Sequence, residues 1–319
     1  MKLIRGQYNI PPNLKGCVIS IGNFDGIHLG HQQVITQLTE KAAELNLPSV
    51  VITFEPQPPE YFSEETAPSR LMRFREKFQT LSKFSVNYLF YLRFDAAMVA
   101  LSAEEFVQKV LIDGLNVRYL VVGDDFRFGY RRQGDFALLK NMGEKSGFQV
   151  VQMNCFDMEQ QRVSSTRIRQ ALTQGDLTTA EKLLGRPYRI SGRVAHGDKL
   201  GRTLGFPTAN IHLHRKTTPL SGIYAVEVFG LKKEPVIGAA SIGTRPTVGG
   251  KQYLLEIHLL DFSEDIYGHY VDVDFKYKLR EELHFESIEI LKQQIKKDVA
   301  DVRQRMNIRL DTQENCCGQ

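Results

Sequence analysis

The sequence lacks any apolar run long enough to cross a membrane. A spanning helix needs at least about 18 apolar residues in succession, and no such run occurs in the 319 residues. Cysteine is also scarce: there are only four, and their spacing fits neither a zinc site nor a disulfide framework. Free thiols in a reducing cytoplasm are the simplest interpretation. Residues 1–6 carry charge but no long apolar core, so we expect no secretory signal.

A strong surplus of one charge is absent as well. Lys plus Arg number 41 against 37 Asp plus Glu, which gives a formal net charge of +4. A surplus this small does not indicate a nucleic-acid binder. Residues 126–132 do mix aromatic side chains with arginines. Small anionic ligands such as nucleotides account for such a cluster as well as RNA does, so an RNA-binding protein stays an alternative.

The composition is that of a globular protein, with 42% hydrophobic and 24% charged residues. Its length suits about two domains, and the first half shows short apolar runs that alternate with segments of helical spacing. The pattern predicts strands at 17–21, 49–54, 88–92 and 119–122, and helices at 34–45, 70–84 and 103–112. The prolines within residues 56–59 predict that no helix forms there. This alternation predicts an α/β fold with a parallel sheet, helices on both faces and ligands at the carboxyl ends of the strands.

The pattern changes after about residue 185, where Gly, Pro and Thr become frequent. Short alternating runs at 223–228, 253–260 and 270–275 predict a small antiparallel β-barrel or sandwich, followed by one amphipathic helix at 287–306. We therefore expect two domains, residues 1–185 and residues 186–319.

Residues 22–31, GNFDGIHLGH, are the most informative segment of the first half. They lie between a predicted strand and a helix, which places His28 and His31 at or just before a helix N-terminus. Unpaired N–H groups and partial positive charge at such an end suit a triphosphate, and the histidines can donate to phosphate oxygens in a transition state. Ordinary loop histidines are the alternative, but the strand–turn–helix context favours phosphate contact.

Residues 162–169, RVSSTRIR, begin another predicted helix. A Ser or Thr at this place often only caps the helix by accepting from a backbone N–H. Hydroxyls followed by two arginines also make a phosphate clamp, because guanidinium groups match phosphate geometry. The segment alone does not decide between these interpretations, whereas the histidine turn beside it favours the clamp.

Residues 192–210 combine glycines with charged and hydroxyl side chains, yet no Walker motif occurs in the chain. A turn-rich hairpin would explain the glycines but not the density of polar groups. Thr208 and Asn210 offer neutral oxygens two residues apart, on one face of an extended chain, which suits a Mg²⁺ that keeps much of its water. Glu256 lies in an alternating apolar run, and that pattern alone favours a solvent-facing carboxylate.

Four segments of the first half, 22–31, 53–58, 123–129 and 164–169, resemble the FMN adenylyltransferase module of bacterial FAD synthetases. The resemblance implies a Rossmann-like nucleotidylyltransferase domain that transfers AMP from ATP to the phosphate of FMN. It implies catalytic roles for His28, His31 and Arg169 and FMN contacts for Glu55, Pro56, Asp125 and Phe126. The implied ATP-binding residues are Gly22, Asn23, Phe24, Asp25, Gly26, His28, His31, Ser164, Ser165, Thr166 and Arg169. Position 57 is Gln where many relatives carry His, so no role is assigned to it.

Segments 192–210, 222–226, 241–247, 255–258 and 279–285 resemble the riboflavin kinase module that follows in the same synthetases. The resemblance makes Glu256 the catalytic carboxylate that takes a proton from the riboflavin 5′-hydroxyl. The implied ATP-binding residues are Gly197, Lys199, Gly201, Arg202, Thr208 and Asn210, of which the last two also hold the metal. The implied riboflavin contacts are Arg280, Glu282 and Phe285.

The two resemblances together predict a bifunctional cytoplasmic enzyme that makes FMN from riboflavin and then FAD from FMN. We expect ATP as co-substrate, Mg²⁺ as cofactor and flavins as substrates and products. We expect no nucleic-acid or membrane partner, and a monomer or weak homo-oligomer. The main rival is a nucleotidylyltransferase for a different acceptor, with the barrel acting as a specificity module.

Overall fold

The computed structural model describes residues 1–154, 156–158, 161–197, 200–215, 217–247 and 250–307. The chain divides into two compact units. The first comprises Met1–Ile168 with Leu183–Gly185, and the second comprises Arg169–Lys182 with Arg186–Gln319. The expected domain boundary at residues 185 and 186 stays a prediction.

The first unit is built on a six-stranded sheet. Its strands are β1 (Lys2–Arg5), β2 (Cys17–Ile21), β3 (Ser49–Glu55), β4 (Tyr88–Arg93), β5 (Val117–Gly123) and β6 (Gln149–Met153). They lie in the order β1-β4-β3-β2-β5-β6, and every neighbouring pair is parallel. The predicted parallel sheet is confirmed, and the edge strands β1 and β6 extend it beyond the four strands expected.

Six helices connect these strands. They are α1 (Leu29–Glu44), α2 (Pro58–Phe62), α3 (Phe74–Leu81), α4 (Ala96–Ala100), α5 (Ala103–Phe106) and α6 (Phe136–Ser146). The predicted helix at 103–112 continues from α5 as a π-helical segment, Val107–Ile112. The predicted helix at 70–84 is shorter than expected: it is α3 followed by the 3₁₀ turn Ser82–Phe84. Two further 3₁₀ turns are Gln7–Asn9 and Tyr130–Arg132.

The expectation that the prolines of residues 56–59 exclude a helix is wrong. Helix α2 begins at Pro58, and Pro58 and Pro59 occupy its first turn. The first N–H groups of a helix have no intrahelical acceptor, so proline removes no hydrogen bond there, and its fixed φ already suits the helix.

The two faces of the sheet are covered by different helices. Ile19 and Ile21 of β2 pack in a cluster with Phe106 and with Val110 of the π-helical segment. Helix α1 contacts β2, β3 and β5, but none of its described residues belongs to that cluster. Because successive side chains of a strand point to opposite faces, α1 covers the other face. Helices on both faces agree with the predicted α/β architecture.

A short connection leads out of the sheet. It consists of the antiparallel hairpin β7 (Asp157–Met158) and β8 (Gln161–Arg162), followed by the helices α7 (Ser165–Thr173) and α8 (Leu177–Leu184).

The second unit contains a closed β-barrel. Its elements are β9 (Tyr188–Ala195), α9 (Leu200–Thr203), β10 (Ala209–His212), β11 (Gly222–Phe229), β12 (Val236–Thr247), β13 (Gly250–Leu259), β14 (Tyr270–Arg280) and α10 (Ile288–Arg305). The strand order is β10-β13-β12-β11-β14-β9, and β9 pairs back with β10. The sequence pattern left barrel and sandwich open, and the structure is the barrel, with the expected terminal helix.

Candidate functional site

A cleft of about 880 Å³ opens at the carboxyl edge of the parallel sheet. It lies between β2 and β5, which are neighbours in the sheet. From β2 the chain continues to β3 on one side, and from β5 it continues to β6 on the other side. Ligands of parallel sheets bind at such a switch point. Residues 22–25 and 123–129, which follow the two strands, line the cleft. The expected ligand edge is therefore a real cavity.

His28 and His31 lie at the start of α1, as the sequence predicts. His28 is the N-cap residue, and its Nδ1 atom accepts a hydrogen bond from the backbone N–H of His31 at 3.3 Å. The two imidazole rings are stacked, with centroids 3.6 Å apart, and both side chains line the cleft. Capping occupies Nδ1 of His28, so its Nε2 atom is the nitrogen suited to a ligand.

The turn before α1 has an unusual backbone. Phe24 and Ile27 adopt left-handed φ values of 46° and 43°, and Gly26 has a φ of 85°. Non-glycine residues hold such conformations only where the surroundings enforce them. Gly26 does not line the cleft within the described residues; a Cβ atom there would lie 2.8 Å from a methyl group of Leu71. Its glycine is therefore required by the shape of the turn.

Asp25 fixes this turn from inside the protein. It is 3% exposed, and its carboxylate accepts from the backbone N–H groups of Leu71 and Met72 at 3.0–3.1 Å. Its backbone carbonyl accepts from Ser165 Oγ at 2.9 Å. Asp25 also lines the cleft, so the ATP contact implied for it stays a prediction beside this observed structural role.

A buried lysine is linked to the turn by hydrogen bonds through Thr53. Lys77 of α3 is fully buried and donates through Nζ to Thr53 Oγ1 at 3.2 Å. Thr53 in turn donates to the backbone carbonyl of Asn23 at 3.5 Å. Burial lowers the pKa of Lys77, and the nearby carboxylates of Asp25 and Glu55 act against that shift. The sequence analysis did not indicate Lys77, because it occupies one position in an ordinary helical pattern.

The Ser-Ser-Thr segment caps α7 and also lies at the cleft, so capping is observed and the phosphate clamp stays a prediction. Ser164 Oγ accepts from the backbone N–H of Arg167 at 3.3 Å, which is a helix-capping contact. Ser164, Ser165 and Thr166 also line the cleft. Arg169 follows on the same helix and is grouped with the second compact unit, so its phosphate contact stays a prediction.

Glu55 is engaged by an ion-pair network rather than turned towards a ligand. Arg70 donates to its carboxylate twice, at 2.9 and 2.6 Å, and also pairs with Glu60 of α2. Neither Glu55 nor Pro56 is among the described residues that line the cleft. Their FMN contacts therefore remain predictions, and the structure instead makes Glu55 part of the scaffold that holds α2.

Asp125 and Phe126, the other two residues implied for FMN, do line the cleft. Asp125 forms an ion pair with Arg162 at 2.9 Å, and Asp124 pairs with the same guanidinium group at 3.0 Å. Arg162 also lines the cleft. This side of the cavity therefore carries a charge pair that joins the end of β5 to β8.

An aromatic wall, of which the sequence analysis assigned a role only to Phe126, contributes apolar surface to the cleft. Its six phenylalanines are Phe54, Phe62, Phe94, Phe106, Phe126 and Phe128. Phe126 and Phe128 are stacked with centroids 5.4 Å apart, and Phe94 meets the edge of Phe54 at 5.7 Å. The six come from distant parts of the chain, so only the fold brings them together.

The barrel holds a second cavity of about 300 Å³. It contains most of the residues that the kinase resemblance implies: Gly201, Thr208, Asn210, Glu256, Arg280, Glu282 and Phe285. Asn210 of β10 and Glu256 of β13 are directly opposite partners in the antiparallel ladder, which places their side chains on one face. Glu256 is half-buried and faces this cavity, so the solvent-facing alternative does not describe it.

Arg280 is held at the side of this cavity by a buried carboxylate. Asp298 of α10 accepts from its guanidinium group at 2.9 and 2.7 Å, and Gln294 donates to the same carboxylate at 2.9 Å. The Arg280 guanidinium lies 5.8 Å from the ring centre of Phe285, within the range of a cation–π contact. The sequence analysis named Arg280 and Phe285 but not Asp298, which is distant in sequence.

Glu282 places a second carboxylate in the barrel cavity. Burial raises its pKa, as do the nearby Glu256 and Glu281 carboxylates, while Arg280 lowers it. A Cβ atom at Gly243 would overlap the Glu282 carboxylate. Gly243 therefore leaves the space that this side chain occupies.

A third cavity, of about 350 Å³, adjoins Thr208 and Asn210 and is lined by Gly197 and by the segment 262–267. A Cβ atom at Gly197 would overlap the Asn210 side chain, so this glycine allows the loop to approach β10. Lys199 lies outside the described residues, as does the side chain of Arg202, and the ATP contacts implied for them stay predictions. Thr208 and Asn210 are thus shared by two neighbouring cavities.

The donor atoms around Thr208 and Asn210 suit a hydrated Mg²⁺ better than a fully protein-bound metal. Their hydroxyl and amide oxygens are hard, neutral ligands, and Mg²⁺ usually keeps several waters and takes the rest of its ligands from substrate phosphates. No group of three or more His, Cys, Asp or Glu residues that could hold a metal occurs in the described part of the chain.

Comparison with known proteins assigns a family to the part of the chain that forms the sheet and to the part that forms the barrel. Residues 10–167 match the family model described as FAD synthetase, and residues 184–306 match the one described as riboflavin kinase. The fold and the two sites thus define a nucleotide-dependent transferase with an adenylyltransferase unit and a kinase unit. The chain belongs to the family of bifunctional riboflavin kinase/FMN adenylyltransferases.

Curated relatives with that name are similar along almost the whole chain. The Haemophilus influenzae protein is 50% identical over 307 residues, which cover 96% of this chain and all of the relative. The Escherichia coli K12 protein is 48% identical over 305 residues, 95% of this chain and 97% of the relative. These relatives confirm the family expected from the motifs.

A solved structure is similar along the same length. The crystal structure titled a macrolide-efflux protein from Streptococcus pneumoniae matches with a TM-score of 0.80 and 32% identity, over 95% of this chain and 99% of that one. Among the described residues of the present chain, no helix is both long and apolar enough to cross a membrane.

Proposed function

We propose that the cleft of the parallel sheet adenylylates FMN and that the barrel phosphorylates riboflavin, each step using ATP. The chain carries both activities as a member of its family. The observation that supports this division is the chemistry of the two sites. The sheet cleft joins a helix N-terminus to an aromatic wall, whereas the barrel cavity holds the Glu256 carboxylate beside the neutral side chains of Thr208 and Asn210.

In the sheet cleft, the histidine turn and residues 164–166 hold the triphosphate of ATP. His28 and His31 donate to phosphate oxygens where negative charge grows as pyrophosphate leaves. Arg169 completes the set. The FMN phosphate attacks the α-phosphorus, and because it is already ionised at neutral pH it needs no general base; positioning and charge neutralisation suffice.

The flavin of FMN occupies the aromatic side of the same cleft. Phe62, Phe106 and Phe128 offer ring faces and edges, which suit a flat heteroaromatic ring because aromatic pairs gain from stacking and edge contacts. Asp125 and Phe126 line this side. Glu55 and Pro56 contribute through the placement of α2.

In the barrel, Glu256 accepts the proton of the riboflavin 5′-hydroxyl, which is a poor nucleophile until it is deprotonated. Arg280, Glu282 and Phe285 form the flavin side of the cavity. ATP occupies the neighbouring cavity, which Gly197 lines. The resemblance implies that Lys199, Gly201 and Arg202 contact ATP as well. Its phosphates meet the hydroxyl at Thr208 and Asn210, the residues that both cavities share.

Mg²⁺ is the metal that we infer for the barrel, held by Thr208 and Asn210. When bound, it neutralises phosphate charge. We further infer domain limits at 1–185 and 186–319, a cytoplasmic location and a monomer or weak homo-oligomer without a nucleic-acid partner. The near balance of charges supports the absence of a nucleic-acid partner, the scarcity of cysteine supports the cytoplasmic location, and the change of composition near residue 185 supports the domain limits.

Flavin chromatography tests the proposal directly, since riboflavin, FMN and FAD separate and report both steps. The protein incubated with riboflavin, ATP and Mg²⁺ is expected to give FMN and then FAD, and FMN with ATP is expected to give FAD alone. AMP transfer only to a non-flavin acceptor would contradict the proposal. RNA binding that weakens steeply with salt and resists ATP competition would favour the RNA-binding alternative.

A further inference from the structure

Ser20 carries a buried hydroxyl group that has no structural role in the described part of the fold. It lies on β2, is 1% exposed, and its Oγ atom has no hydrogen-bond partner among the described residues. Yet Ser20 lines the cleft of the parallel sheet. Other hydroxyls around the same cleft are bonded within the protein: Ser164 Oγ and Ser165 Oγ both have backbone partners.

The neighbours of Ser20 within the sheet offer it nothing polar. In the strand register it faces Val51 of β3 on one side and Val121 of β5 on the other. A hydroxyl left unpaired in such surroundings destabilises the fold because it has lost its hydrogen bonds to water, and buried polar groups in native proteins are almost always paired. A partner supplied by a ligand in the cleft would remove this cost.

The alternation of β2 shows which ligand can reach this hydroxyl. Ile19 and Ile21 point into the cluster that contains Phe106 and Phe128, which are part of the aromatic wall. Ser20 therefore points to the opposite face, the one covered by α1. His31 and Val34, from the first two turns of α1, line the cleft on that face.

We propose that the Ser20 hydroxyl is a substrate contact for adenylyl transfer and that it hydrogen-bonds the ATP, not the flavin. It shares its face with the phosphate-binding turn, whereas the aromatic wall for the flavin belongs to the other face. Ser20 thereby contributes to nucleotide affinity at a residue outside the histidine and Ser-Ser-Thr motifs. This inference rests on the proposed function of the cleft.

The test uses Ser20→Ala in the full-length chain, with steady-state FAD formation measured while ATP and FMN are varied separately. Loss of one neutral hydrogen bond is expected to raise KM for ATP about 3–10-fold, with KM for FMN within about twofold of wild type. Riboflavin phosphorylation by the same preparation should be unchanged, because Ser20 lies in the other unit.

Ser49→Ala is the matched control. Ser49 is also a buried strand serine of this sheet, 1% exposed, but its hydroxyl donates to Asn87 Oδ1 at 2.9 Å and accepts from the Asn87 N–H at 3.0 Å. Its loss should lower the thermal midpoint by about 2–4 °C and leave both KM values unchanged. Ser20→Ala without substrates should keep or raise that midpoint, because it removes an unpaired polar group.

Several outcomes would overturn the inference. A rise of KM for FMN alone would assign Ser20 to the flavin, and unchanged KM values would show that its hydroxyl touches no substrate. A lowered thermal midpoint with loss of affinity for both substrates would make it a structural group like Ser49. Wild-type protein that makes no FAD from FMN and ATP would instead contradict the proposed function itself.

Discussion

At the scale of single residues, His28 has two separable roles. Its Nδ1 atom caps α1, and its ring stacks on His31 inside the cleft. Capping affects the folded state, while donation to phosphate affects the transition state. Substitutions that keep one role and remove the other can therefore distinguish them.

We predict that His28→Ala loses about 1 kcal/mol of unfolding free energy, the usual cost of a lost N-cap. It should also lose ~10²–10³-fold in adenylyl transfer, if the histidine acts as a preorganised donor. His28→Asn restores a capping side chain but not the donor, so it should regain stability without activity. His31→Ala should lose adenylyl transfer but keep the wild-type unfolding free energy. Urea denaturation and FAD formation from FMN measure the two effects; equal loss of riboflavin kinase activity would indicate misfolding.

Glu256→Gln tests the base of the kinase at the same scale. Glutamine keeps the size but cannot take the proton of the 5′-hydroxyl, so FMN formation should fall ~10²–10⁴-fold. KM for riboflavin and ATP should change little, because the lost interaction belongs to the transition state. Given FMN directly, the variant should make FAD at the wild-type rate. An unchanged kinase rate would show that Glu256 is not the base.

At the scale of elements, α2 shows how a short helix is stabilised by charge. It has only five residues, too few to be stable alone, and it carries Phe62 of the aromatic wall. Arg70 links Glu60 of α2 to Glu55 at the end of β3. Burial raises the pKa of Glu60, but the hydrogen bond and charge of Arg70 outweigh this and the pKa is lowered.

Arg70→Gln should therefore destabilise the protein by about 3 kcal/mol at pH 7, as expected when one partner of a largely buried ion pair is removed. A carboxylate whose pKa is lower in the folded protein stabilises the fold at pH values above its unfolded pKa of about 4.3. That stabilisation is lost as the pH falls through the pKa of the folded state. The difference in unfolding free energy between Arg70→Gln and wild type should thus become smaller below about pH 4. Urea unfolding at several pH values measures it; a difference independent of pH would contradict the ion-pair explanation.

At the scale of the whole molecule, each unit has its own core and its own cavities. The first unit packs around the cluster of β2, β5 and α5, and the barrel packs Val302 of α10 against Ala225 and Leu260. The described residues that line each proposed site belong to one unit: those of the sheet cleft to the first and those of the barrel cavity to the second. The two activities should therefore be separable.

A fragment of residues 186–319 is expected to fold and to convert riboflavin to FMN without making FAD. Circular dichroism and flavin chromatography measure this, with the full chain as the control that makes both products. FAD production by the fragment would contradict the division of labour. A fragment that fails to fold would contradict the boundary at residue 186, and one starting at Arg169, where the second compact unit begins, would then be the next to measure.

Features that depend on residues close together in the chain could be predicted from the sequence. The strand–turn–helix around His28 could be recognised because a buried strand, glycines and a helical pattern follow one another within a short span. The same holds for Thr208 and Asn210, which share a face by spacing alone. Strands β1 and β6 were not predicted, since they lie at the edges of the sheet and few of their side chains are buried, so their apolar pattern is weak.

Features that depend on contacts between distant parts of the chain could be seen only in the folded protein. The six phenylalanines meet because α2, β3, α5, the turn after β4 and the loop after β5 converge at one edge of the sheet. Glu256 faces a cavity because strand register places it opposite Asn210. Glu55 pairs with Arg70 because the segment between α2 and α3 returns to the end of β3. Sequence patterns report which side of its own element a residue occupies, whereas the partners across the core depend on how those elements pack.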